Sequence, residues 1–172
     1  VTQPEYASIE LAPGTTECPS EIVSRIDQLL KDERRILFIA INGSGINVGK
    51  TYIKGLIHHY LHTKEIPCQI TGATDWHLME DRVTALQEFH SDQPLPWVII
   101  TEGFDQMAGH TPEQRHRLRT YISEGLRSES DGKLQGVDLW VSIYRDDKPF
   151  LADPVADVVV RNVGAKNKEN LV

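Results

Sequence analysis

The sequence predicts an α/β protein built on a mostly parallel sheet of about five strands, and three observations lead there. Short apolar runs without alternation recur along the chain, segments with helical spacing of apolar residues separate them, and the changeovers fall at glycine, proline or small polar residues. A strand buried on both faces has no polar side to show, so an uninterrupted run such as RILFIAI at 35–41 marks the interior of a parallel sheet. Alternation of strand with helix then sets successive strands parallel.

Residues 1–19 read as a loosely patterned lead-in, turned at Pro13 and Gly14, and residues 20–172 as one domain. Ile22, Val23, Ile26, Leu29 and Leu30 predict a helix over 20–33, with Ser20 placed to cap its free amides. The strand at 35–41 follows. Tyr52, Ile53, Leu56, Ile57, Tyr60 and Leu61 predict a helix over 50–64, broken before Pro67, and 68–71 is a short strand. A helix at 80–90, the Pro94-Leu95-Pro96 connection and the strand WVIIT at 97–101 come next. Thr111 and Pro112 then open a polar helix to about 128. Strands at 137–144 and 155–160 complete the set, and no internal repeat is visible.

The 172 residues suit one ordinary domain that buries roughly 70% of its unfolded surface. With 40% hydrophobic and 25% charged residues, the chain is neither disordered nor low-complexity. A net charge of -7, from 18 Lys plus Arg against 25 Asp plus Glu, argues against coating a polyanion, so no nucleic-acid partner is expected. The apolar runs at 36–41 and 97–100 are far too short to cross a bilayer, and VTQPE lacks the pattern of a secretion signal. Cys18 and Cys68 stand far apart and form no CxxC, which points to a reducing cytoplasm. Nothing in the pattern fixes an oligomeric state.

The informative segment is Gly43-Ser44-Gly45-Ile46-Asn47-Val48-Gly49-Lys50-Thr51, set between a buried-type strand and an amphipathic helix. That is the context of a phosphate-binding P-loop. Glycines let the backbone curl so that successive amides point into an anion nest, and the helix N-terminus adds its dipole. Lys50 would reach the terminal phosphates of a nucleotide such as ATP, and the Thr51 hydroxyl would hold Mg²⁺. The usual spacing is G-x4-G-K-[ST]. Here Ser44 occupies the first glycine position and Gly43 lies one residue earlier, so the loop is one residue longer. The fold predicted from this unit is a P-loop NTPase three-layer sandwich.

Such a loop needs an acidic group at the carboxyl end of a neighbouring strand to organise the metal. Glu102, in Thr101-Glu102-Gly103, is the candidate, with a solvated strand end as the other reading. The loop after the second strand, Gly72-Ala73-Thr74-Asp75-Trp76-His77-Leu78, falls on the same crevice of an open α/β sheet. Asp75 reads either as a base that takes the proton of an attacking hydroxyl or as a helix cap. Trp76 and His77 read as the wall of a substrate pocket, with a core position open for Trp76.

In this order the pieces resemble the uridine kinase-like branch of P-loop kinases. The carriers are the P-loop, TDWHL at 74–78, IITEG at 99–103, the aspartate-led strand VDLWVSIY, Arg145, and the closing ADVVVRNVGAKNKENLV. The resemblance implies transfer of the ATP γ-phosphate to a hydroxyl of a nucleoside or similar small molecule. Lys50 and Thr51 would bind phosphates and Mg²⁺, Asp75 would be the base, Glu102 would support metal or acceptor, and Arg145 would be the lid cation. The family usually has a longer, Arg-rich lid, where this chain has Arg145-Asp146-Asp147-Lys148-Pro149. G-x5-G-K-T with Val48 also resembles the dethiobiotin synthetase loop, whose reaction is a ligation. Glu102-Gly103-Phe104 is similar to the Glu-Gly-Phe of GTP-binding proteins of molybdopterin dinucleotide assembly. A nucleotide-binding module without catalysis is a further alternative, which the short lid favours.

Three other features read as solvated surface. His58 and His62 have helical zinc-pair spacing beside His59, but no third ligand is placed. Arg115, His116, Arg117 and Arg119 lack interleaved aromatics, and Asp146 with Asp147 are adjacent carboxylates in a turn.

Overall fold

A computed structural model describes residues 6–31, 36–43, 48–72, 97–102, 139–146 and 156–163. They form a six-stranded sheet of β1 (Ala7–Leu11), β2 (Ile36–Gly43), β3 (Cys68–Gly72), β4 (Trp97–Glu102), β5 (Leu139–Arg145) and β6 (Val158–Asn162), with helices α1 (Ser20–Leu29) and α2 (Lys50–Thr63). The strand order is β1-β6-β5-β2-β4-β3, and every pairing is parallel. The predicted helices at 80–90 and 111–128 lie outside the described residues.

The α/β class and the parallel sheet agree with the sequence, and the strand count rises from about five to six. The added strand lies in the segment expected to be a loosely patterned lead-in. Its five residues alternate: Ile9 and Leu11 are buried while Ser8 and Glu10 are exposed, the signature of an edge strand with one covered face. β1 pairs with β6 from Ala7 opposite Val158 to Leu11 opposite Asn162.

β2 lies at the centre because it has no polar face. Leu37, Phe38, Ile39, Ala40 and Ile41 are all fully buried, and successive residues point to opposite faces. Leu37, Ile39 and Ile41 join Ile22 and Ile26 of α1 and Ile53, Ile57 and Leu61 of α2 in one cluster. Phe38, Ala40, Ile99, Trp140 and Val159 belong to the alternate register and are buried too. Both faces of the sheet are therefore covered, as a parallel sheet requires.

α1 starts one residue earlier than a Ser20 cap would have it. Pro19 is the cap residue and its carbonyl accepts from the amides of Ile22 and Val23. Ser20 is inside the first turn, and its hydroxyl donates to Glu21 at 3.2 Å. Pro19 takes φ -57° and ψ 142°, the extended conformation of a residue just outside a helix, and no side chain caps α1. The helix ends at Leu29, short of the predicted 33.

The aspartate of the ADVVV run explains how β6 enters the sheet. The Trp140 amide donates to Asp157 Oδ2 at 2.7 Å, the Asp157 amide donates to the Trp140 carbonyl at 2.8 Å, and the Ala7 amide donates to the Asp157 carbonyl at 3.1 Å. One residue thus ties the amino-terminal ends of β1, β5 and β6. At the other end, Arg161 pairs with Glu10 and, at 3.3 Å, with Asp146.

Candidate functional site

Because all the strands are parallel, their carboxyl ends share one edge. β2 is the point where the strand order reverses: α2 leads from it to β3, with β4 between, while β5 and β6 lie on its other side. Ligands of open α/β sheets bind in the crevice at such a switch point.

β2 ends there in Asn42, which is buried, and Gly43. The chain has returned on itself by residue 48. A Cβ added at Gly43 would run into Val48 Cγ2 and stand 3.1 Å from Cγ and Cδ of Lys50. The absence of a side chain at Gly43 is what lets the Lys50 stem lie across the end of β2. Val48 is fully buried within the main core cluster, so an apolar side chain anchors the returning arm of the loop.

Gly49 then turns the chain into α2 with φ 113° and ψ 18°, a conformation glycine takes freely and L-residues resist. It is the cap residue of α2, its carbonyl accepts from the Ile53 amide at 3.0 Å, and no side chain caps the helix. The positive end of the α2 dipole therefore lies at this turn, beside the end of β2. Lys50 is half-buried and Thr51 exposed.

Of the predicted site residues, Gly43, Val48, Gly49, Lys50 and Thr51 come together in this way. Ser44, Gly45, Ile46 and Asn47, and also Asp75, Trp76 and His77, lie outside the described residues. Glu102 ends β4, opposite Ile41 of β2 and Gly72 of β3. Arg145 ends β5, half-buried, opposite Asn162 of β6. Since Gly43 is level with Ile143, Arg145 projects two residues, about 7 Å, beyond the end of β2. Glu102 and Arg145 flank the loop on opposite sides.

One residue at this edge had no role assigned from sequence. Asn162 Nδ2 donates to the carbonyl of Val48 at 2.8 Å, across 114 residues of chain. A polar residue ending a valine run at the carboxyl edge of a strand was the available signal. Its partner became visible only with the strand order.

The remaining chemistry is inert or outward-facing. Burial pushes the thiols of Cys18 and Cys68 up to about 12, so both are thiols rather than thiolates near neutrality. His58, His59 and His62 are exposed on α2. Among the described residues no three His, Cys, Asp or Glu side chains gather to hold a metal, and no helix is long and apolar enough to cross a membrane. No protein-family model and no curated protein matches the chain.

The loop can do one thing well. It brings a helix N-terminus and a lysine together at the carboxyl edge of the sheet, packed closely enough that a Cβ at Gly43 would meet Val48 and Lys50 and one at Gly49 would meet Asn162 and Ile143; such a helix end suits an anion. The Thr51 hydroxyl, in the first turn of α2, is an oxygen donor of the class that Mg²⁺ takes together with phosphate, and Glu102 holds the last position of the neighbouring strand β4.

Proposed function

We propose that this protein is an ATP- and Mg²⁺-dependent phosphotransferase of the P-loop NTPase fold, acting in the cytoplasm on a hydroxyl of a nucleoside or similar small molecule. The observation that carries the reading is the return of the chain at the switch point, where Gly43 admits the Lys50 stem and left-handed Gly49 opens an uncapped helix. A buried strand, a glycine turn and a helix N-terminus in that order present amides to phosphate.

In this reading Gly43 to Thr51 wrap the phosphates, Lys50 neutralises charge on the β- and γ-phosphates, and Thr51 with Glu102 would hold Mg²⁺, which would supply further charge neutralisation. Asp75 accepts the proton of the acceptor hydroxyl as its oxygen bonds to the γ-phosphorus. The bond from the γ-phosphorus to the bridging oxygen breaks, ADP leaves, and a phosphomonoester remains. Trp76 and His77 wall the acceptor pocket, and Arg145 meets the transferring group from the β5 side.

A second reading is nucleotide binding without transfer. It is favoured by the root of the short lid, where Asp146 is tied to β6 by Arg161 at 3.3 Å and by its amide to the Asn162 carbonyl at 3.1 Å. The ligase-like and GTP-binding alternatives differ in acceptor and base.

Release of ADP from Mg·ATP or of GDP from Mg·GTP, measured with a panel of nucleosides and other small hydroxyl compounds, tests the reading. Acceptor-dependent release that falls about 10²–10³-fold in Lys50→Ala supports a kinase. An ATP-induced thermal shift without release supports the binding module, and neither shift nor release at millimolar nucleotide sinks both.

A further inference from the structure

Asn162 belongs to β6, yet its side chain acts on the loop that follows β2, with β5 between the two strands. The carboxamide reaches the Val48 carbonyl by passing beside Gly49: a Cβ there would stand 2.7 Å from Asn162 Nδ2 and 3.2 Å from Ile143 Cδ1. The bare α-carbon of Gly49 and the amide of Asn162 are therefore fitted to each other. Anchoring the Val48 carbonyl also fixes the next amide, because in a trans peptide the carbonyl and the following N–H point in opposite directions. With the Val48 carbonyl turned onto Asn162, the Gly49 N–H faces away from Asn162. The backbone of Asn162 meanwhile accepts from the Asp146 amide, one residue past Arg145, so the same residue holds both the loop and the root of the short lid.

We propose that Asn162 is a positioning residue of the phosphate loop, locking the peptide between Val48 and Gly49 so that the Gly49 amide is presented to the bound nucleotide's phosphates. This inference rests on the nucleotide reading above. Without the lock the peptide can rotate, since glycine at 49 allows both orientations, and the nest loses a donor for part of the time. Positioning of this kind acts on affinity for the phosphates, whereas a purely structural role acts on the unfolding equilibrium.

The test is Mg·ATP affinity by calorimetry on the full chain at 15 °C, comparing the unaltered protein, Asn162→Asp and Asp157→Ala. Asn162→Asp keeps the shape, removes the donor and sets a negative charge against the Val48 carbonyl; its Kd should rise about 10-fold or more, in line with the loss of a hydrogen bond and added repulsion. Asp157→Ala loosens the same strand at its far end and should leave Kd within twofold. An unchanged Kd in Asn162→Asp, or an equal rise in both variants, overturns the positioning role while leaving nucleotide binding intact. No binding by the unaltered chain overturns the nucleotide reading and this inference with it. Should Asn162→Asp fail to fold, Asn162→Ser, which is uncharged and too short to reach Val48, carries the same expectation.

Discussion

Replacing Gly49 by alanine sets two costs against a single methyl group. The backbone at φ 113° is one an L-residue adopts only under strain, about 1–3 kcal/mol. The new Cβ would also lie 2.7 Å from Asn162 Nδ2 and 3.2 Å from Ile143 Cδ1. Relieving that overlap moves a hydrogen-bonded side chain and a fully buried one, at a further cost of about 1–3 kcal/mol. The sum, about 2–6 kcal/mol, corresponds to a fall in Tm of about 5–17 °C for a domain of this size. Gly55 supplies the internal comparison. It lies within α2, is exposed, and a Cβ there meets nothing within 4 Å. Alanine at 55 should therefore stabilise by about 0.5–1 kcal/mol and raise Tm by about 1–3 °C. Thermal unfolding followed by circular dichroism reads both. If Gly49→Ala melts within 2 °C of the unaltered chain, or if Gly55→Ala falls as far as Gly49→Ala, the reasoning from the loop geometry is wrong.

Two further perturbations address the sheet and the buried groups. Asp157→Ala removes the carboxylate that accepts from the Trp140 amide in a part-buried setting and should cost about 1.5–3 kcal/mol in urea unfolding; a loss under 0.5 kcal/mol would deny the residue its role in joining β5 to β6. Stability should also fall as pH rises from about 9 to 12. Cys18 and Cys68, raised by burial, and Tyr60, raised by burial and by its hydrogen bond to Asp27, each ionise near 12 when folded but at their ordinary, lower values when unfolded, so the folded state holds more protons across that window. Urea midpoints that stay flat from pH 9 to pH 11 would contradict the burial of these groups.

The interior of the fold was legible in the sequence because burial on both faces leaves a mark in one dimension. RILFIAI and WVIIT became the adjacent strands β2 and β4 with ends shifted by one or two residues. β1 was missed for a physical reason: ASIEL is five residues with two apolar side chains, a pattern that a loop also produces, and only pairing with β6 makes it a strand. The glycines at 43 and 49 were legible as a loop signature, and the structure adds which atoms crowd each of them. Asn162 was not assigned, since a contact spanning 114 residues leaves no local periodicity. Ser20 shows the reverse case, where local capping preference pointed to the wrong residue: the chain enters the helix one residue earlier, with the extended Pro19 at the cap.

The pairing of β1 with β6 has a consequence in time. Glu10 meets Arg161, 151 residues further along, and at ribosomal speed that stretch takes on the order of ten to thirty seconds to make. Throughout that interval β1 lacks the strand it pairs with, while β2, β3 and β4 can already pair among themselves. The early strand is a clasp that shuts last: a chain broken off before residue 158 has nowhere to dock it, and a finished chain announces its completion by hiding it.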